Sequence, residues 1–236
     1  IIILGIIQGL TEFLPVSSSG HLVLGQYLLG INSPGNTLEI LFHVGTLGSV
    51  VFVFFNDIKD IFITIEKEST QKLLLFISVA TLPAMIIGLL FRHEINQLFD
   101  SVSSVGYALL LTGLILISSS FSNNKNTSFS YFSSLVIGFV QAFSIIPGIS
   151  RSGSTIVVSL FLGISPKKSA KFSFLLSIPI IFGAGLLGAL DINSENTFTF
   201  STIIAAILSS FFVGIFALKA LLTLLEQGKF YFFGFY

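Results

Sequence analysis

The 236-residue chain has no cysteine, no tryptophan and a single methionine, and only 9% of its residues are charged. Without cysteine there is neither a disulfide nor a thiolate metal site. An ordinary soluble domain is about 25% charged, so a chain this poor in charge cannot cover a water-facing surface. The formal net charge of +0 removes any bulk attraction to nucleic acid, and no nucleic-acid partner is expected. The first residues, IIILGII, carry no basic leader and no cleavage site, so no signal peptide is expected. With no methionine at the start and an abrupt stop at KFYFFGFY, both ends read as clipped.

What is present is apolar: 53% of residues are hydrophobic, in continuous runs such as LLLFISVATLPAMIIGLL. Such runs match the roughly 20 residues that a helix needs to cross a hydrocarbon core. A membrane barrel would instead alternate apolar and polar positions over segments of about 10 residues. The expected fold is therefore an all-α integral membrane protein, with residues 1–236 forming one polytopic membrane domain.

Polar residues inside this apolar context repeat. Shifting the chain by 133 positions places Gln8 on Gln141, Ser17 on Ser150, Ser19 on Ser152, Gly20 on Gly153 and Gly30 on Gly163. A repeat at half the chain length suggests two halves meeting at one site. The halves are residues 1–122 and 131–236, separated by the polar break Asn123 to Asn126.

Each half begins with a broken segment. Residues 1–14 are too short to span, are stopped by Pro15 and the serines after it, and are followed by a short helix over about 21–30. In the second half 132–146 breaks at Pro147-Gly148 and resumes over about 153–164. Both read as re-entrant helix-loop-helix elements, because irregular backbone at membrane depth is tolerated where it lines a buried cavity. Spans are expected at 38–55, 73–91 (kinked at Pro83), 105–120, 172–190 and 202–224, with loops at 32–37, 56–72 and 92–104 and a basic hinge at Lys167, Lys168 and Lys171.

With this topology Lys59, Lys67, Lys72, Lys125, Lys167, Lys168, Lys171 and Lys229 fall on one side and Arg92 on the other. The positive-inside rule makes the first side cytoplasmic. The two broken segments then enter from opposite faces, as in inverted repeats, and their polar tips meet near the bilayer middle.

Ionisable residues within embedded segments are functional candidates by default. Glu12, His21 and Arg151 lie in the broken segments; Glu39 and His43 lie near a loop and read as solvated. Arg151 opens a helix within S-R-S-G-S-T, where backbone N–H groups, a guanidinium and the hydroxyls of Ser150, Ser152, Ser154 and Thr155 form an anion site suited to phosphate. Ser17, Ser18, Ser19 and Gly20 supply a second helix start. Ser18 and His21, three residues apart, can bring hydroxyl and imidazole together as nucleophile and base. Glu12 can orient His21 or hold a divalent cation, with Gln8 one turn earlier on the same face. Gln8 and Gln141 read as positioning residues.

The stretches Q8-G-L-T-E12-F-L-P-V-S-S-S-G-H21 and P147-G-I-S-R-S-G-S-T155 resemble the two signature motifs of the bacterial undecaprenyl-diphosphate phosphatases of the BacA, or bacitracin-resistance, family. The likeness extends to F42-H-V-G-T-L, T81-L-P-A-M-I-I-G-L-L-F and F172-S-F-L-L-S-I-P, nearly the whole chain. The resemblance implies an enzyme of the bacterial plasma membrane, with its site open to the extracytoplasmic side. It would remove the terminal phosphate of undecaprenyl diphosphate, recycling the lipid carrier of wall synthesis and conferring bacitracin resistance. It also implies Mg2+ or Ca2+ as cofactor and a polyprenyl diphosphate lipid as substrate, and it leaves room for a homodimer. By position, Glu12 matches a functional acid, Ser18 the proposed nucleophile, His21 the essential histidine and Arg151 the phosphate-binding arginine. Gln8 stands where many members carry a second glutamate, which shifts metal binding to Glu12. The family also has a C-terminal helix after F-x-x-F-x-x-Y that this chain, ending at Tyr236, lacks. Two mechanisms stay open, Ser18 attacking with His21 as base or His21 activating water directly. The rival reading from another class is a transporter or lipid flippase, which would aim broken helices at an anion in the same way.

Overall fold

A computed structural model describes residues 1–31, 37–99, 101–123, 125–189 and 198–236. The loop expected at 32–36 and Asn124 of the expected break lie outside the described residues. Among the described residues the protein is helical throughout, with no strand: α1 (Ile2–Phe13), α2 (Ser18–Leu29), α3 (Thr37–Val53), α4 (Phe55–Ile63), α5 (Glu68–Leu90), α6 (Arg92–Phe99), α7 (Val102–Ser118), α8 (Tyr131–Phe143), α9 (Arg151–Phe161), α10 (Pro166–Ala189) and α11 (Phe200–Glu226). Short 3-10 turns follow α7 and α11.

Among the described residues four helices are long and apolar enough to cross a membrane: Glu68–Leu90, Val102–Phe121, Pro166–Leu187 and Phe200–Glu226. A fifth span is formed by α3 if it is joined to α4, which bends away from it by 69°. Their outer faces carry large exposed apolar side chains, among them Leu90, Tyr107, Leu110, Leu114 and Phe216, as a lipid-facing surface requires. The protein is a polytopic all-α membrane protein.

The two broken segments are hairpins. Gly25 of α2 faces Leu4 and Ile7 of α1, and α9 lies against α8, so each second helix folds back along its first. Both second helices start at positions 133 apart, Ser18 and Arg151. Both are capped by a serine, whose hydroxyl accepts the N–H of Gly20 in one case and Gly153 in the other. Each hairpin ends on a left-handed glycine, Gly30 at φ 63° and Gly163 at φ 81°, a backbone that favours a residue without Cβ.

Packing between the halves is crossed: α1 lies on α11, and α8 lies on α5. Gly9 of α1 and Gly138 of α8 sit at these crossings. A Cβ would come within 2.8 Å of the Ser210 carbonyl oxygen at Gly9 and within 2.7 Å of the Ala80 carbonyl oxygen at Gly138. Beneath the hairpin tips Phe13, Val50, Phe54, Ile156, Phe174 and Leu221 form the main buried core. Phe13 and Phe174 meet edge to face at 5.8 Å, and rings of this size dominate burial energetics.

Three expectations change in detail. The water-exposed segment expected at 56–72 contains a helix, α4, whose Ile58 and Ile61 pack on the core while Phe62 and Ile63 stay exposed. This is an amphipathic helix, and α5 begins directly after it at Glu68. The expected basic hinge is instead the start of α10, where Lys171 pairs with Asp57 of α4. The loop expected at 92–104 contains the helix α6, Arg92–Phe99.

Candidate active site

The tips of the two hairpins are in direct contact. A Cβ on Gly20 would lie 3.1 Å from Gly148 Cα, and one on Gly153 would lie 3.1 Å from Pro15 Cβ. These two contacts exchange under the 133-residue offset, so the tips meet face to face. From α7, Thr112 pins the second break: its hydroxyl donates to the Gly148 carbonyl at 2.8 Å and accepts the Ser150 N–H at 3.0 Å.

Glu12, at the end of α1, is the centre of the junction, with its side chain 5% exposed. Its Oε1 receives Nη2 of Arg151 at 2.6 Å. Its Oε2 receives the Ser18 hydroxyl at 2.5 Å and the Gln8 amide at 3.0 Å. His43 of α3 brings Nε2 to 3.6 Å from the same oxygen. A carboxylate buried this far needs both a counter-charge and hydrogen bonds, and it has them from two helices besides its own. Arg151 keeps a buried Nη1 with no hydrogen-bond partner among the described residues. One face of the guanidinium is thus committed to Glu12, and the other nitrogen is a donor in want of an acceptor.

Of the residues expected at the site, Glu12, Ser18, Gln8 and Arg151 are brought together. Ser18 and His21 are not. Nδ1 of His21 donates to the Ser17 carbonyl at 2.8 Å, and its Nε2 faces the Tyr236 hydroxyl at 3.2 Å with the two rings stacked. The expected hydroxyl–imidazole pair is therefore replaced by a hydroxyl–carboxylate pair. The physical reason is local: the imidazole satisfies the carbonyl one turn back, while Ser18, first residue of α2, points across the break to α1.

The serines divide by task. Ser17 and Ser150 cap their helices, and each also approaches the serine two residues on, Ser19 at 3.2 Å and Ser152 at 3.4 Å. Ser152 donates across the junction to the Phe13 carbonyl at 3.3 Å, satisfying an exposed end of α1. Thr155 donates to the Arg151 carbonyl at 2.8 Å and meets Ser173 at 2.7 Å, deep in the protein. Ser154 is buried with its hydroxyl unpartnered. Gln141, counterpart of Gln8, bonds instead to the Ala80 carbonyl at 3.2 Å.

Two contributors were not legible in the sequence. His43 was read as solvated, yet α3 carries it to Glu12; its place one turn from Glu39 inside an apolar helix was the available signal. Thr112 gave no signal in an ordinary apolar run.

Among the described residues no three of His, Cys, Asp and Glu gather closely enough to hold a metal by themselves. A hard divalent cation needs less from the protein, since it keeps waters and takes substrate oxygens beside one or two carboxylates. Glu12 is the one carboxylate here; Gln8 meets it through its amide nitrogen, and the Oε1 of Gln8 is buried without a partner. Both oxygens of Glu12 are committed, Oε1 to Arg151 and Oε2 to Ser18 and Gln8, so the donor set as it stands does not fit such an ion.

The arrangement is a buried carboxylate–guanidinium pair with hydroxyl and amide donors at the contact of two hairpin tips. Comparison with known proteins gives it a family. The family model "Bacitracin resistance protein BacA" matches residues 1–236. The undecaprenyl-diphosphatase of Halothermothrix orenii is 46% identical over 242 residues, covering 100% of this chain and 92% of that protein. That of Alkaliphilus metalliredigens is 42% identical over 255 residues, with 100% and 93% covered. Undecaprenyl-diphosphatase 1 of Bacillus cereus is 36% identical over 248 residues, with 100% and 92% covered. A family match along residues 1–236, with relatives this similar over more than nine-tenths of their lengths, establishes that the chain belongs to the BacA family.

Proposed function

We propose that this protein is a membrane phosphatase that hydrolyses undecaprenyl diphosphate to undecaprenyl phosphate and inorganic phosphate, as the names of its relatives describe them. The observation that carries the reading is Arg151, bound to Glu12 through Nη2 and presenting a second, unpartnered buried nitrogen at a helix start. A guanidinium so placed is suited to a diphosphate.

In the mechanism that this geometry supports, Arg151 and the helix N-termini hold the diphosphate and stabilise the charge developing on its terminal group. Ser18 Oγ attacks the terminal phosphorus while its proton passes to Glu12 Oε2, the atom it already faces. The bond from that phosphorus to the bridging oxygen breaks, and undecaprenyl phosphate leaves. Water then cleaves the phosphoserine. His21, with Nδ1–H donated to a carbonyl and the lone pair on Nε2, is the base that remains for that water. A divalent cation, as the resemblance implies, would neutralise phosphate oxygens as a Lewis acid, but at Glu12 it would have to displace a donor already there.

Residues 1–122 and 131–236 act as inverted repeats in the bacterial plasma membrane, with the site opening to the extracytoplasmic face. There it recycles the lipid carrier of wall synthesis and protects against bacitracin by removing the lipid diphosphate. The crossed packing of α1 on α11 and α8 on α5 supports the two-fold relation.

The test is phosphate release from a polyprenyl diphosphate by the purified protein in detergent, with cation and with chelator. Release with no second compartment is the expected result. No release, together with movement of substrate across liposomes, would establish a transporter instead. Activity lost in Arg151→Ala and His21→Ala but kept in Ser18→Ala would replace the serine step by direct attack of water.

A further inference from the structure

Both nitrogens of the His21 ring are engaged. Nδ1 lies 2.8 Å from the Ser17 carbonyl, which only accepts, so Nδ1 carries the hydrogen of the neutral ring. The lone pair is on Nε2, and the Tyr236 hydroxyl stands 3.2 Å from it as the donor. That nitrogen has one lone pair to offer. While Tyr236 donates to it, a water cannot reach it along the same line.

The contact is held from behind. The rings of His21 and Tyr236 are stacked, with centroids 5.8 Å apart and planes 17° apart. Tyr236 follows the turn Phe230–Phe235, whose Phe230 is buried in the main core. Gly234 of that turn sits on α7: a Cβ there would lie 2.5 Å from the Gly113 carbonyl oxygen, and one on Gly113 would lie 2.9 Å from the Gly234 carbonyl oxygen. Backbone against backbone at this spacing fixes where the turn rests. Thr112, one residue earlier, is the residue that pins the break at Gly148. One turn of α7 therefore sets the second hairpin and, through Tyr236, the imidazole of the first.

We propose that Tyr236 is the proton relay between the attacking water and His21. The inference rests on the phosphatase reading above, in which water cleaves a phosphoserine at Ser18. A hydroxyl that donates can still accept, and Tyr236 is 83% exposed, so its oxygen can take a water as a second partner. The water gives its proton to Oη as Oη gives its own to Nε2. The hydroxide so formed bonds to phosphorus, and the bond from phosphorus to Ser18 Oγ breaks as Oγ takes back the proton held by Glu12. The imidazolium then returns its proton to solvent by the same route.

The experiment uses the full chain in detergent with a polyprenyl diphosphate. It compares Tyr236→Phe, which keeps the stacked ring and loses the hydroxyl, with Tyr231→Phe in the same turn. In Tyr236→Phe the attack by Ser18 is untouched, so lipid monophosphate should appear in a burst of about one per protein, followed by turnover slower on the order of 10²-fold. Phosphate should accumulate on Ser18, read by mass spectrometry of acid-quenched protein, with kcat lowered and kcat/KM kept. Tyr231→Phe should match the wild type. Turnover that is unchanged or faster in Tyr236→Phe would mean that the phenol only covers the base, and overturns the relay. A loss shared by kcat and kcat/KM without phosphoserine overturns it too. A wild type that releases no phosphate removes the phosphatase reading and the relay with it, whereas an active wild type beside an unaffected Tyr236→Phe removes the relay alone.

Discussion

The two hairpins share a backbone and differ in charge. Ser17 and Ser150 cap in the same register, Gly20 and Gly153 are the capped residues, and Gly30 and Gly163 close the second helices. On this common frame the first hairpin places a carboxylate at position 12, where the second has Ile145. The second places a guanidinium at 151, where the first has Ser18. The pair that joins the tips thus runs between positions that are not equivalent. The repeated scaffold supplies two helix starts facing each other, and the difference at two positions gives their junction one carboxylate, one guanidinium and one hydroxyl in contact.

Breaking the ion pair should produce the largest effect. Arg151→Ala leaves Glu12 buried without its counter-charge, which costs about 3–5 kcal/mol, and removes the phosphate donor as well. Melting in detergent and phosphate release should both collapse. The double variant Glu12→Gln, Arg151→Gln should recover much of the melting temperature and none of the activity. Recovery of both would mean that the pair is a strut and no more.

Next is Ser18→Ala against Ser152→Ala. Ser18 donates to the carboxylate, whereas Ser152 ties a backbone carbonyl of α1. Removing the nucleophile should lower phosphate release by about 10³-fold or more with little change in stability. Removing Ser152 should cost about 1 kcal/mol of stability with activity largely retained. Equal losses of activity would place both serines on the substrate.

The crossings offer a third comparison. At Gly138 an added Cβ meets the Ala80 backbone at 2.7 Å, and backbone cannot turn aside. At its counterpart Gly5 the nearest atom is the hydroxyl of Ser209, which can rotate, although Ser209 Cβ at 2.9 Å still resists. Gly138→Ala should destabilise by about 1–3 kcal/mol and Gly5→Ala by less, as read from thermal melting. The reverse order would mean that the α1–α11 crossing is the tighter one.

Much of this was legible because it is local. Proline, glycine and serine mark both breaks, and the two motifs carry Glu12, Ser18 and Arg151. What was not legible depends on which helix passes behind the tips. His43 approaches Glu12 only because α3 packs against α1, and Thr112 reaches Gly148 only because α7 crosses the second break. Sequence spacing also misjudged Ser18 and His21. Three residues around a turn allow contact, but each side chain found a nearer partner, and the competition is decided by the neighbouring helix.

The smallest and sharpest difference lies in the caps themselves. Ser17 has φ 68°, a left-handed conformation that is strained for a residue with a Cβ, while Ser150 has φ −72°. The Ser17 cap is also the longer, 3.4 Å to Gly20 N against 3.1 Å from Ser150 to Gly153 N. Glycine at an N-cap costs only a few tenths of a kcal/mol relative to serine, and relief of a left-handed residue returns about 1 kcal/mol or more. Ser17→Gly should therefore be neutral or slightly stabilising in a melting experiment, whereas Ser150→Gly, with no strain to relieve, should destabilise. The same substitution at equivalent positions would carry opposite signs because the first hairpin puts its left-handed backbone on a serine, beside Ser18, whereas the second puts it on Gly148, where no Cβ is strained. If Ser17→Gly instead destabilises as much as Ser150→Gly, the strain is absent and the two breaks are alike in energy as well as in register.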